Sequence, residues 1–124
     1  MYGTLQSSAL DLPRADSSVV PETKIVGYLL SLTHPRGQHK AAYFASFGFS
    51  ANDWQVLQSA LLAHAQGHEV ESAQRTPFGM HYPIRGALSA PDGRAPMVRT
   101  VWFVEEGQAV PRFVTAYPVE GTRE

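Results

Sequence analysis

The sequence predicts an α+β domain in which three N-terminal helices pack on one face of a three- or four-stranded antiparallel sheet. Two observations carry this. Apolar residues recur at a spacing near four up to Gly67 and at a spacing of two beyond it, the change of period that separates helices from half-buried strands. Turn signals at Pro91-Asp92-Gly93-Arg94 and at Glu106-Gly107-Gln108 then divide the second half into runs suited to hairpins. A length of 124 residues, 44% hydrophobic and 17% charged, fits one domain with a single modest core.

Residues 1–18 are rich in Ser, Leu and Asp without a clear period, are interrupted by Pro13, and read as an N-terminal arm that lies on the body or is partly mobile. The single α+β domain is expected over 19–118, with a polar C-terminal tail over 119–124. Val19 to Lys24 is a helix start, with Pro21 near the first helical position, Glu22 in the first turn, and Ile25, Tyr28 and Leu29 on one face afterwards. This helix ends near Ser31. A second helix begins at Gln38 and turns Ala41, Phe44 and Ala45 toward a core; Gly48 stops it and Phe49 fills the gap between helices. Ser50 caps the third helix, in which Trp54, Leu57, Leu61 and Leu62 repeat at helical spacing until Gly67. His64 and His68 read as exposed residues at its end, and Trp54 and Trp102 as core.

Phe78 to Arg85 alternates as a half-buried strand does, with a shorter strand expected around Glu69 to Gln74. Met97 to Glu105 is the most strand-like run, and Arg112 to Tyr117, closed by Pro118, is the last strand. Alternation puts Phe78, Met80, Tyr82 and Ile84 inward and sends His81 and Arg85 outward. On the last strand it groups Phe113, Thr115 and Tyr117 on one face and Val114 and Ala116 on the other. For the middle strand either Val98, Thr100, Trp102 and Val104 or Met97, Arg99, Val101 and Phe103 can be core. An outward Thr100 or Arg99 beside Thr115 and Arg85 would form a cluster of hydroxyl and guanidinium groups.

A formal net charge of −1 excludes an overall electrostatic footprint for nucleic acid, so any polyanion site is local. The absence of cysteine excludes disulfides, thiolate metal sites and cysteine nucleophiles. No apolar run is long enough to span a membrane and no secretory signal pattern is present, so no membrane contact is expected and the cytoplasm is the expected site of action, reached directly or by delivery through a secretion system. No cofactor and no metal site are expected.

Chemistry concentrates at Thr33-His34-Pro35-Arg36-Gly37-Gln38-His39-Lys40-Ala41-Ala42, which holds one of the chain's two lysines, two of its five histidines and an arginine, with no carboxylate. Pro35 biases His34 to an extended backbone and Gly37 permits a tight turn, so His34 precedes a helix N-terminus and Lys40 sits in its first turn. Such a place suits a phosphate or a carboxylate.

Three runs in order, Lys24-Ile25-Val26-Gly27-Tyr28-Leu29-Leu30, then His34-Pro35-Arg36-Gly37-Gln38-His39-Lys40-Ala41, then Arg99-Thr100-Val101-Trp102 with Val114-Thr115-Ala116-Tyr117-Pro118, resemble an uncharacterised bacterial domain family found stand-alone and at the ends of polymorphic toxins. At greater distance, the order of helices then strands is similar to the superfamily that unites barnase, EndoU, the tRNA-cleaving colicins and RelE. That resemblance implies a metal-independent ribonuclease-like toxin domain cleaving RNA by 2′-OH transesterification, with a cognate immunity or antitoxin protein as a partner. His34, Lys40, Arg99 and Thr115 would then be catalytic. Lys24, Arg36, His81, Arg85, Thr100 and Tyr117 would bind substrate. The alternative is a non-catalytic interaction module, antitoxin- or immunity-like or an accessory domain in a toxin or defence locus, that uses the basic turn to hold an anionic partner. Catalysis requires His34 and Lys40 to converge on one phosphate; a module would let them diverge or be covered by carboxylates.

Overall fold

The computed structural model describes residues 11–119. The expected arm over 1–18 therefore lies outside the described residues in its first ten positions, and the tail beyond Val119 likewise. Within the described part of the arm, Leu12 is buried in the core.

Pro21 fixes an extended approach to helix α1, an α-helical turn at Glu22–Lys24 that continues as a π-helical stretch at Ile25–Leu29. The Leu30 N–H donates to the Ile25 carbonyl at 2.8 Å, the wide spacing that defines a π turn. Ile25 and Leu29 are both fully buried, so Lys24 and Tyr28, each one residue earlier, share the neighbouring side. Helix α2 spans Gln38–Ala45 and buries Ala41 and Phe44. The turn that follows it closes at Gly48, whose φ of 100° only glycine adopts readily, and Phe49 tucks beneath Phe44. The Ser50 side chain accepts the Asn52 N–H at 3.0 Å and opens a short 3₁₀ turn before helix α3, Trp54–Gly67.

The strands β1 (Gln74–Thr76), β2 (Gly79–Ala87), β3 (Met97–Glu105) and β4 (Arg112–Pro118) form one antiparallel meander in the order β1-β2-β3-β4. Helix α3 packs on β2 and β3, and α1 on β4, so the helices cover one face. That face carries Ile84, Val98, Thr100, Trp102, Phe113 and Ala116. The middle strand thus turns its Val98 set inward and leaves Arg99, Val101 and Phe103 on the outer face. Among the described residues no helix is long and apolar enough to cross a membrane.

Four expectations need correction. Phe78 is 74% exposed, because Thr76 Oγ1 donates to the Gly79 carbonyl and accepts the Phe78 N–H, closing a tight turn that holds Phe78 outside the strand. The first strand lies at Gln74–Thr76; the segment before it makes only a bridge between Val70 and Ile84. The last strand does not alternate. Val101 pairs with Thr115 and Trp102 with Phe113, so Val114 is an extra residue, a β-bulge. Phe113 and Ala116 are consequently both core, while Thr115 and Tyr117 face outward.

The fourth concerns His64, which is 2% exposed rather than at a solvated helix end. Its Nε2–H is shared between the carbonyls of Gly86 and Val98, at 3.1 and 3.2 Å. Its Nδ1 then accepts from Thr100 Oγ1 at 3.1 Å, and that hydroxyl accepts the Trp102 indole N–H at 2.9 Å. Every polar atom of this buried chain has a partner, which is what allows it inside an apolar core. Burial holds His64 below its ordinary pKa, with the nearby His68 adding to the effect against the two carbonyls. His68 itself is half-buried, its Nδ1–H on the His64 carbonyl at 3.0 Å.

Candidate functional site

Helix α1, the turn before α2, and the bulged strand β4 meet around a cleft of about 590 Å³. From α1 come Thr23, Lys24, Gly27 and Tyr28; from the turn and α2, His34, Arg36 and Lys40; from β4, Val114, Thr115 and Tyr117. Among the described residues no carboxylate lines it.

The bulge explains why β4 can serve the cleft. The extra residue frees the Val114 carbonyl from the ladder, and Lys24 Nζ donates to it at 3.0 Å. It also rotates Thr115 outward, under the α1 and α2 side chains. Lys40 Nζ donates to Tyr28 Oη at 2.6 Å and to Thr115 Oγ1 at 2.8 Å, and the two hydroxyls are 3.0 Å apart. Both hydroxyl oxygens accept from Lys40, and either can donate its own proton to the other. An ammonium has three N–H bonds, so Lys40 keeps one more donor beyond these two contacts. Its charge also lies 5.0 Å from the Tyr28 ring centre and 5.8 Å from that of Tyr117. Burial works to raise the Tyr28 pKa. Hydrogen bonds from Lys40 and Thr115, and the charges of Lys40 and Lys24, outweigh it and hold the phenol below its ordinary value.

The turn is seated by contacts that the sequence allows only in this form. His34 Nδ1 accepts the backbone N–H groups of Arg36 and Gly37 at 2.9 and 3.1 Å. The ring proton therefore sits on Nε2 and is available as a donor. The His34 ring meets Tyr28 edge-on, with centres 5.1 Å apart and planes at 73°. Gly37 lies against the Tyr28 backbone carbonyl, and a β-carbon there would collide with that oxygen. This is a close approach that only glycine permits.

A second cavity of about 410 Å³ opens on the outer face of the sheet, lined by Glu71, Ser72, Gln74, His81, Pro83, Arg99, Val101 and Tyr117. Tyr117 is a wall of both cavities. Arg99 grips Glu71 with two parallel bonds, Nε to Oε1 at 2.6 Å and Nη2 to Oε2 at 2.9 Å. That fork holds the Glu71 carboxyl below its ordinary pKa, aided by the charges of Arg99 and Arg85, and pushes the Arg99 guanidinium further up.

The structure therefore brings together Lys24, His34, Arg36, Lys40, Thr115 and Tyr117. Arg99 and His81 lie in the neighbouring cavity, joined to the first through Tyr117. Arg85 is exposed on the outer face, opposite Arg99 in the register. Thr100 is on the other side of the sheet, fully buried with His64. The central polar group that sequence reasoning passes over is Tyr28, placed there only on one face of the first helix with Ile25 and Leu29. Its signal is the spacing of four from Lys24, which places both on one side of α1.

Among comparisons with known proteins, the family model of DUF6883, a domain of unknown function, matches residues 11–120. A solved structure of similar fold is a contact-dependent growth inhibition toxin–immunity protein complex from Klebsiella pneumoniae 342. One chain of it superposes with a TM-score of 0.64 at 20% sequence identity, covering 82% of this chain and 100% of that one. No curated protein matches the sequence.

Proposed function

From the premise that this chain belongs to the DUF6883 family, we propose that it is a metal-independent, ribonuclease-like toxin domain that cleaves RNA by 2′-OH transesterification in the cleft between α1, α2 and β4. The observation that carries the reading is the contact of Lys40 Nζ with Tyr28 Oη at 2.6 Å, inside a cationic cleft that no carboxylate among the described residues lines. The fold likeness to a chain of a toxin–immunity complex supports a place for the domain on one side of such a pair, with a cognate protein as its partner.

Attack of the 2′-oxygen on phosphorus forms a 2′,3′-cyclic phosphate and breaks the bond to the 5′-oxygen. One proton must leave the 2′-hydroxyl and one must reach the 5′-oxygen. Tyr28 takes the first as a phenolate held by Lys40 and Thr115. The third N–H of Lys40 supplies the second. The proton then passes from Tyr28 to Lys40 along their hydrogen bond, and both return to their starting forms. His34 Nε2–H and the Arg36 guanidinium bear on the non-bridging oxygens, where charge grows as the phosphorane forms. Lys24 fixes the bulge that presents Thr115.

The test is cleavage of total RNA and tRNA by purified protein in EDTA, with Lys40→Ala and Tyr28→Phe compared after their folding is confirmed. Cyclic-phosphate ends from the wild type, with each variant slower by about 10²–10⁴-fold, are expected. Absence of cleavage by the wild type would sink the catalytic reading and leave a non-catalytic module that holds an acidic partner in the same cleft.

A further inference from the structure

We propose that Lys40 is a modification site: the cleft takes an acyl phosphate, and Lys40 Nζ accepts its acyl group. That this switches off RNA cleavage rests on the ribonuclease reading above; the acyl transfer itself does not. The chain has two lysines, Lys24 and Lys40, and both line the cleft. Arg36 and the Nε2–H of His34 share it, and among the described residues no carboxylate does. A small molecule that carries a phosphate therefore meets cationic donors and an amine in one place.

Geometry singles out Lys40. Two of its three N–H bonds are taken, by Tyr28 Oη at 2.6 Å and by Thr115 Oγ1 at 2.8 Å. One anchor stands on α1 and the other on the bulged strand, so the half-buried ammonium cannot turn freely and its remaining bond is left for the cleft it lines. When that bond loses its proton, a lone pair takes the same direction while the two hydroxyls still accept from the remaining N–H bonds. The result is a nucleophile held at two points, and holding a reactant in place is what raises an intramolecular rate. Lys24 is the built-in comparison, because among the described residues one hydrogen bond, to the Val114 carbonyl, holds its ammonium. In the transfer Nζ attacks the acyl carbon, a C–N bond forms, and the C–O bond to phosphorus breaks with its electron pair leaving on inorganic phosphate. Of the three ammonium protons one stays on the amide, one is taken by the departing phosphate and one by water. The product has no charge, so Tyr28 and Thr115 lose their cationic partner and the donor for the 5′-oxygen is gone.

The experiment incubates the folded whole chain with acetyl phosphate at mildly alkaline pH and maps acetylation by peptide mass spectrometry. Lys40 is expected to react about tenfold or more faster than Lys24, at a rate that saturates in acetyl phosphate and falls when inorganic phosphate is added. The preference should vanish in urea, and S-acetyl-N-acetylcysteamine, a donor without phosphate, should not show it. Thr115→Val, which removes one anchor and keeps the shape, should slow Lys40 and leave Lys24 as it was. RNA cleavage should decline in step with Lys40 acetylation. Equal rates at the two lysines, or a Lys40 rate that neither saturates nor responds to inorganic phosphate, would overturn the site. Full cleavage by the acetylated protein would overturn the switch. Lys40 acetylation in a protein that cuts no RNA would leave the site standing and remove the ribonuclease.

Discussion

The Tyr28 phenol is pulled in two directions, upward by burial and downward by Lys40, Thr115 and the charge on Lys24, and the second pull wins. If the phenolate is the base, activity rises with pH and reaches its half-maximal value below about pH 10, the ordinary range of a tyrosine. A pH–rate profile checks this. Tyr28→Phe should abolish the rising limb and not merely shift it, because among the described residues no other phenol lies on Lys40 and Thr115 together. A neighbouring position tests the architecture without touching the chemistry. Gly37→Ala places a methyl group against the Tyr28 carbonyl oxygen, so the turn must back away from α1. A loss of about 1–3 kcal/mol in urea unfolding is expected, with weakened phosphate binding from displaced His34 and Arg36.

At the level of elements, the buried Trp102–Thr100–His64 chain ties β3 to helix α3. His64 is neutral in the fold, below its ordinary pKa near 6.5, whereas in the unfolded chain it titrates normally. Its contribution is therefore complete above about pH 6.5 and shrinks as the pH falls, since only the unfolded form can take up the proton. Urea midpoints should decline between about pH 7 and about pH 5, and His64→Leu should be less stable at neutral pH yet flatter across that window. Thr100→Val strands both Nδ1 of His64 and the Trp102 N–H, at a cost of about 1–3 kcal/mol. These same elements mark the limit of what the chain spells out. The run Met97–Glu105 and the stop at Gly48 are legible because pattern and glycine specify them locally. The position of His64 is partly legible, since Leu57, Leu61, His64 and Ala65 form one helical stripe, but only the carbonyls of two distant strands can satisfy its ring. The bulge at Val114 is not legible at all. Its residue is an ordinary β-former, and what holds the extra carbonyl is Lys24, far away in sequence.

On the scale of the whole molecule, a formal charge of −1 coexists with a cleft that gathers Lys24, Lys40, Arg36 and His34. Binding of a small anion should thus be a local event. Inorganic phosphate should raise the melting temperature more than chloride at equal ionic strength, by the equivalent of about 2.7 kcal/mol when present at a hundredfold excess over its Kd. In Lys40→Ala the two salts should act alike. The turn containing His34 and Lys40 was identifiable as cationic from sequence alone; that it closes on β4 depends on a fold in which the outer ends of the domain meet.

That meeting has a consequence for how the protein comes into being. The contacts that tie the cleft to β4 join residues 90, 87 and 75 positions apart, and in each the later partner is on the last strand of the meander. Helix α1 leaves the ribosome early, at roughly 5–20 residues per second, and waits. Until β4 is synthesised and pairs with β3, Lys40 has no Thr115 and Lys24 has no carbonyl to hold. A nascent or prematurely terminated chain therefore carries the cations without Thr115 or the Val114 carbonyl, and on the proposed reading RNA cleavage begins only once β4 has docked.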